Sequence, residues 1–238
     1  TLTGLSNQFN IYANAYVGGI IGYNAAGTRL TLTNASNGSQ SSAQSYGGLA
    51  RSDRADAANG GAYIFYNGVP LGELDPGCNG YFAGGTIGYA TKNTTLQNCT
   101  NYGSVQHPVA AGGLAGVNDG TISGGSMQNS MGSQQENYRY LGGIAGINNG
   151  SITNAAPAAG VTIRGGTNIG GAAGYNTGTI RLAEAAGRVE GITAVGGVAG
   201  YNVGSIAAKS VAVQVSGTSQ VGGIAGVNGT TGRISTRS

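Results

Sequence analysis

The sequence predicts an all-β fold, a right-handed parallel β-helix of about eight rungs, and three observations carry that prediction. A short phrase of two glycines, an apolar residue, a small residue, usually glycine again, an aromatic or aliphatic residue and asparagine returns along the chain. Its copies open at Gly18, Gly47, Gly84, Gly112, Gly142, Gly170, Gly196 and Gly222. Spacings of 26 to 37 residues fall in the range of solenoid repeats. Second, β-branched runs broken by Asn-Gly and Gly-Gly are strand and turn signals. Third, no window offers an uninterrupted helical stripe, and with 48 glycines in 238 residues helices would lose about 1 kcal/mol at each one.

Residues 141–164 display one repeat most clearly, and it divides into three strands: the Gly-Gly-Ile-Ala-Gly strand, Ser-Ile-Thr, and Val-Thr-Ile. Numbering each copy from its first glycine, offset +2 holds Ile20, Leu49, Thr86, Leu114, Ile144, Ala172, Val198 and Ile224. Offset +6 holds Asn24, Asn118, Asn148, Asn176, Asn202 and Asn228, expected to form a structural ladder of rung-to-rung amide bonds. Offset +10 holds Ile122, Ile152, Ile180 and Ile206, slipping to +12 at Leu30, Leu96 and Ile234. Strand alternation puts these even offsets inside. Glycine at +8 (Gly120, Gly150, Gly178, Gly204) suits a turn needing positive φ. The odd offsets then face outward. Yet +5 carries Tyr23, Tyr89, Tyr175 and Tyr201, and −1 carries Val17, Leu141, Ile169, Val195 and Val221, so that face needs a cover.

Charged residues make up 8% of the chain, and the net charge of +3 is scattered without a basic run, which argues against nucleic acid as a partner. No stretch of 18 apolar residues is present, so no membrane insertion is expected. Repeat-like sequence lies near both ends, and the chain reads as one β-helix domain, 1–238, cut from a larger protein. Cys78 and Cys99 form an even pair that permits a disulfide; two buried thiols fit as well.

One segment is foreign to the repeat. Residues 51–82 hold four of the eight acids (Asp53, Asp56, Glu73, Asp75) and five of the sixteen aromatics (Tyr63, Phe65, Tyr66, Tyr81, Phe82). Insertions in solenoids become loops on one face, often the binding face. Rings beside carboxylates suit sugar recognition, so Asp53, Asp56, Tyr63, Phe65, Tyr66 and Tyr81, with Tyr175 and Tyr201 on the side face, are the candidate ligand-binding residues. A lid covering the array is the plainer use of the same aromatics. A second irregular stretch, Met127 to Tyr140, reads as a turn excursion. Catalysis finds little support. Paired acids for glycoside cleavage are available only in the insertion, Asp119, Glu184 and Glu190 stand alone as solvated groups, and His107 has no second histidine for a zinc site. No catalytic residue, metal or cofactor is assigned.

Gly113-Leu114-Ala115-Gly116, within Gly-Gly-Leu-Ala-Gly-Val-Asn-Asp-Gly-Thr-Ile, resembles the GLUG motif, with Gly143–Gly146 and Gly223–Gly226 similar to degenerate copies. The resemblance covers most of the chain and is weakest at 47–83. It implies a β-solenoid segment of a bacterial cell-surface or secreted protein, such as an adhesin or the stalk of an immunoglobulin A-specific metallopeptidase. From it follow the expectations of an extracellular, wall-attached or secreted, non-enzymatic module that meets a host surface protein or glycan. The alternatives are a polysaccharide-degrading β-helix enzyme and a pure spacer.

Overall fold

A computed structural model of the chain describes residues 1–8, 11–12, 16–38, 50–51, 65–66, 69–70, 82–106, 109–133, 136 and 138–236. Among these residues every regular element is a strand. The architecture is a parallel β-solenoid of about six turns. The glycine motif does not make one strand, as the sequence suggests, but two with a corner between them. Val17–Gly18, Ala83–Gly84, Val109–Gly112, Arg139–Gly142, Thr167–Gly170, Thr193–Gly196 and Ser219–Gly222 stack as one seven-stranded sheet. Ile21–Tyr23, Ile87–Ala90, Ala115–Asn118, Ala145–Asn148, Ala173–Asn176, Ala199–Asn202 and Ala225–Asn228 stack as a second. A third sheet follows the Asn-Gly turn, with Leu2, Leu32, Leu96, Ile122, Ile152, Ile180, Ile206 and Ile234 in one column.

The corner explains the paired glycines. A Cβ on the first glycine of any described copy would lie under 3 Å from the carbonyl oxygen three residues on. On the second it would lie under 3 Å from the carbonyl oxygen of the same glycine one rung above, from Gly19 onto Gly85 through to Gly197 onto Gly223. Among the described residues no rung lies above Gly223, and a Cβ there meets nothing within 4 Å. The glycines at +8 have the same origin. They do not adopt positive φ as expected. A Cβ on Gly150, Gly178 or Gly204 would instead strike the carbonyl of the equivalent glycine in the preceding rung. Stacking distance, not turn type, selects glycine here.

Left-handed backbone occurs elsewhere, in two columns. Tyr16, Ala110, Tyr140, Asn168, Ala194 and Gln220, two residues before each motif, have φ between 49° and 59°. Asn34, Asn98 and Asn154, with Gly4 and Gly124 in equivalent places, turn the chain after the third sheet at φ 51–68°. Asparagine and glycine tolerate that conformation. Leu182 and Ala208 fill the same corner in the later rungs. There the corner vanishes, and Thr179–Glu190 and Ser205–Ser216 run as single twelve-residue strands. Short strands such as Ser36–Asn37 and Thr100–Asn101, which fill this stretch in early rungs, stop at Ala156–Pro157.

Two expectations about the repeat are corrected. The rung that follows Val17–Gly18 is Ala83–Gly84, which pairs with it directly, so the motif sheets do not hold eight consecutive copies; Gly47–Leu49 lie outside the described residues. Ala50–Arg51 instead joins a side sheet between Ile11–Tyr12 and Val105–Gln106. By register, twelve residues separate Asn37 from Ala50 where three separate their partners Asn101 and Val105, and thirty separate Arg51 from Phe82 where three separate Gln106 from Ala110. The insertion thus begins after Arg51 and ends before Phe82, which is buried in the array. The slip at Leu30 is also longer than expected, since Leu32, not Leu30, occupies the column with Leu96.

The even offsets are buried as predicted: Leu114, Ile144, Ile152 and Ile180 share one interior cluster. The −1 offset faces inward too. The glycine corner resets the alternation, so Val17, Leu141, Ile169 and Val195 pack in a second interior cluster with Met127, Met131, Ile163 and Val189. Cys99 is a free, buried thiol standing in line with Ala35 and Ala155. It packs as a small hydrophobe, and Cys78, its partner in the disulfide the pair permits, lies outside the described residues.

Candidate functional site

The asparagine ladder forms inside the coil. Asn118 donates to Asn148 at 2.8 Å, Asn148 to Asn176 at 2.8 Å, Asn176 to Asn202 at 2.7 Å and Asn202 to Asn228 at 2.7 Å. The second amide hydrogen caps turn carbonyls, as from Asn176 to Gly178 at 3.3 Å. Asn24 is not part of this run. Ala90 occupies the position between it and Asn118, so Asn24 donates to Thr94 Oγ1 at 2.9 Å, and Asn118 Oδ1 is left buried without a donor. A second ladder escaped the sequence reading: Asn7 donates to Asn37 at 3.0 Å and Asn37 to Asn101 at 2.9 Å. Its signal, Ser-Asn, Ser-Asn-Gly and Thr-Asn-Tyr-Gly, is shorter than the motif and breaks off at Met127 and Pro157.

The outer face carries the chemistry. In the first half of the rod the +5 column lies against residues of the −2 column, Tyr16, Phe82, Ala110 and Tyr140, although Tyr23 stays 44% exposed. Tyr16 meets Tyr23 at 5.2 Å between ring centroids, Phe82 meets Tyr89 at 6.0 Å, and Tyr89, Val117 and Ile147 are buried beneath Val109, Ala110 and Tyr140. Burial, and then its hydrogen bond to Asp119 Oδ2 at 2.6 Å, push the Tyr89 phenol far above its ordinary value. Asp119 also accepts from Asn149 Nδ2 at 2.8 Å, and Thr177 Oγ1 continues the chain onto Asn149 at 2.8 Å. Asp119 is therefore a structural acceptor rather than a solvated acid. Glu190 is likewise engaged. Arg164 Nε binds it at 2.6 Å and Arg188 binds its other oxygen, and the pair holds its carboxyl below the usual range.

Beyond Tyr140 the cover changes character. The −2 column continues as Asn168, Ala194 and Gln220, and the −3 column reads Arg139, Thr167, Thr193 and Ser219. Tyr175 and Tyr201, both half-buried, stack on each other at 5.4 Å with 21° between planes, and Tyr140 meets Tyr175 edge-on at 5.9 Å. Beside them a polar groove of about 370 Å³ opens. Tyr140 and Asn168 line it from one column, Arg139, Thr167 and Thr193 from the next, and Glu136 and Ile192 complete it. Glu136, Arg139 and Tyr140, in the stretch read from sequence as a turn excursion, are thus brought to one place. The sequence signal for this was the switch of the −3 position from Val109 to Arg139, Thr167, Thr193 and Ser219, with Asn168 and Gln220 entering the −2 position.

Of the expected ligand-binding residues, Tyr175 and Tyr201 form a stacked ring pair that does not line the groove and touches it only through the contact of Tyr175 with Tyr140. Asp53, Asp56, Tyr63 and Tyr81 lie outside the described residues. Phe65–Tyr66 is described as backbone, pairing antiparallel with Val69–Pro70 in a small hairpin. His107 lies outside the described residues. Among the described residues no three His, Cys, Asp or Glu side chains gather around a common point that would hold a metal ion. No family model matches the chain, and no curated protein or solved structure is significantly similar to it.

Proposed function

We propose that the chain is a non-catalytic, extracellular surface module, a right-handed β-helical stalk of a larger bacterial protein that presents its side face and the 52–81 insertion to host or glycan ligands. The handedness follows the general preference of parallel crossovers. The observation that carries the reading is the change along the outer face. The outer face, packed under Phe82, Val109 and Ala110 in the first half of the rod, gives way at Tyr140 to a polar groove lined from three successive rungs, which a rod serving purely as a spacer does not need. Solenoids use such extended lateral surfaces for binding. The likeness to GLUG repeats supplies the cellular context.

The intact chain should bind components of a glycan and extracellular-matrix array while leaving neutral and acidic polysaccharides uncleaved. Turnover of a polysaccharide that is lost in Asp53→Ala and Asp56→Ala would establish the enzymatic alternative instead. A chain that binds nothing on the array and cleaves nothing is a spacer.

A further inference from the structure

We propose that the groove at Tyr140 is a binding site for one or two pyranose rings of a neutral glycan, which deepens the surface-module reading and rests on it. Its volume of about 370 Å³ lies at the small end of ligand sites, about 300–1,000 Å³, and suits a mono- or disaccharide rather than a folded partner. Tyr140 is the aromatic ring in its lining, and Tyr175, packed edge-on against it, fixes that ring. A fixed ring with few rotatable bonds is a low-entropy platform for an apolar sugar face.

Apart from Ile192, the remaining lining is hydroxyl, amide and charged. Thr167 and Thr193 are direct register partners on adjacent strands, one strand spacing apart, and Asn168 follows Thr167 on the left-handed turn. Side chains repeated at that pitch, about 4.8 Å, present donors and acceptors at the separation of alternate, 1,3-related hydroxyls of a pyranose ring. Thr193 Oγ1 already lies 3.1 Å from Ser219 Oγ, which extends the hydroxyl row one rung further. Arg139 and Glu136 bring opposite charges to the same groove, so the site carries no net preference for an acidic sugar.

The test is titration of the full-length chain with cellobiose, lactose and N,N′-diacetylchitobiose, with digalacturonate as the acidic arm, read by calorimetry and by saturation transfer from the tyrosine ring protons. At least one neutral disaccharide should bind, with transfer to Tyr140. Tyr140→Ala should raise its Kd about tenfold. Tyr140 also packs in the outer seam, so the double variant Thr167→Val/Thr193→Val, which removes hydroxyls at nearly constant shape, should raise Kd by a similar factor with circular dichroism unchanged. Tyr23→Ala, on a distant rung, should leave Kd as it was. Binding of digalacturonate alone, no binding of any disaccharide, or an unchanged Kd in the double variant overturns the assignment. If the double variant still holds to the array as the parent does, the groove is wrong and the surface role stands. If the parent holds to nothing, both fall.

Discussion

Two buried polar atoms show how single side chains meet or miss the demands of the stack. Thr86 stands at the +2 position that Ile, Leu or Val fills in most other rungs, and its hydroxyl is buried with no partner. Thr86→Val keeps the shape and removes the unsatisfied group. It should stabilise the fold by about 1 kcal/mol, measured as a shift in the chemical denaturation midpoint. Asn176 is the opposite case, since it accepts from Asn148 and donates to Asn202. Asn176→Ala leaves both neighbours short of a partner and should cost about 2–3 kcal/mol in the same assay. The ladder was legible in the sequence because asparagine recurs at one offset. Its break at Ala90 was legible as well, but the consequence for Asn24 was not, since that depends on which threonine the turn delivers beside it.

At the scale of strands and loops, sequence periodicity located the motif sheets and misjudged what lies between them. Gly47-Gly48-Leu49-Ala50 has the letters of the motif, yet Ala50 pairs with Ile11 and Val105 in a side sheet rather than in either motif sheet. A glycine-rich phrase is weak evidence of register by itself, because glycine fixes no side-chain facing. The same letters also hid the corner within the motif, which only backbone crowding between rungs reveals. Because 52–81 replaces three residues of the neighbouring rung, exchanging it for a three-residue linker should leave the strand spectrum intact and Tm within about 5 °C, checked by circular dichroism. The ion cluster at the end of the long strand gives a pH signature. The Glu190 carboxyl is lowered first by its hydrogen bond from Arg164 and also by the charges of Arg164 and Arg188. Its contribution is therefore complete above the ordinary value near 4.5 and is lost as pH falls through the lower folded value. The two arginines are half-exposed, so solvent screening holds that contribution to about 1 kcal/mol. Glu190→Gln should cost this amount at pH 7, and the gap to the parent should close between pH 5 and pH 3 in parallel denaturation series.

The whole molecule is held by repetition of one interface. Each rung offers the next a corner glycine and an aliphatic column, joined in all but the Ala90 rung by an asparagine amide, and the interior clusters run the length of the rod. The terminal rung has lost this neighbour: Val221 is 44% exposed and Ile234 40%, although their equivalents Val195 and Ile206 are buried. The candidate groove was only partly legible at this scale. Tyr175 and Tyr201 stood out as repeated rings, whereas Arg139, Thr167, Asn168 and Thr193 became neighbours only once the register was known. The most direct measurement compares two chemically identical substitutions, Gly197→Ala and Gly223→Ala, by denaturation midpoint. A methyl on Gly197 would run into the Gly223 carbonyl above, and one on Gly223 meets open space. The stacked-rung account predicts a loss of about 2–3 kcal/mol for the first and no loss for the second. Equal effects at both glycines would contradict it.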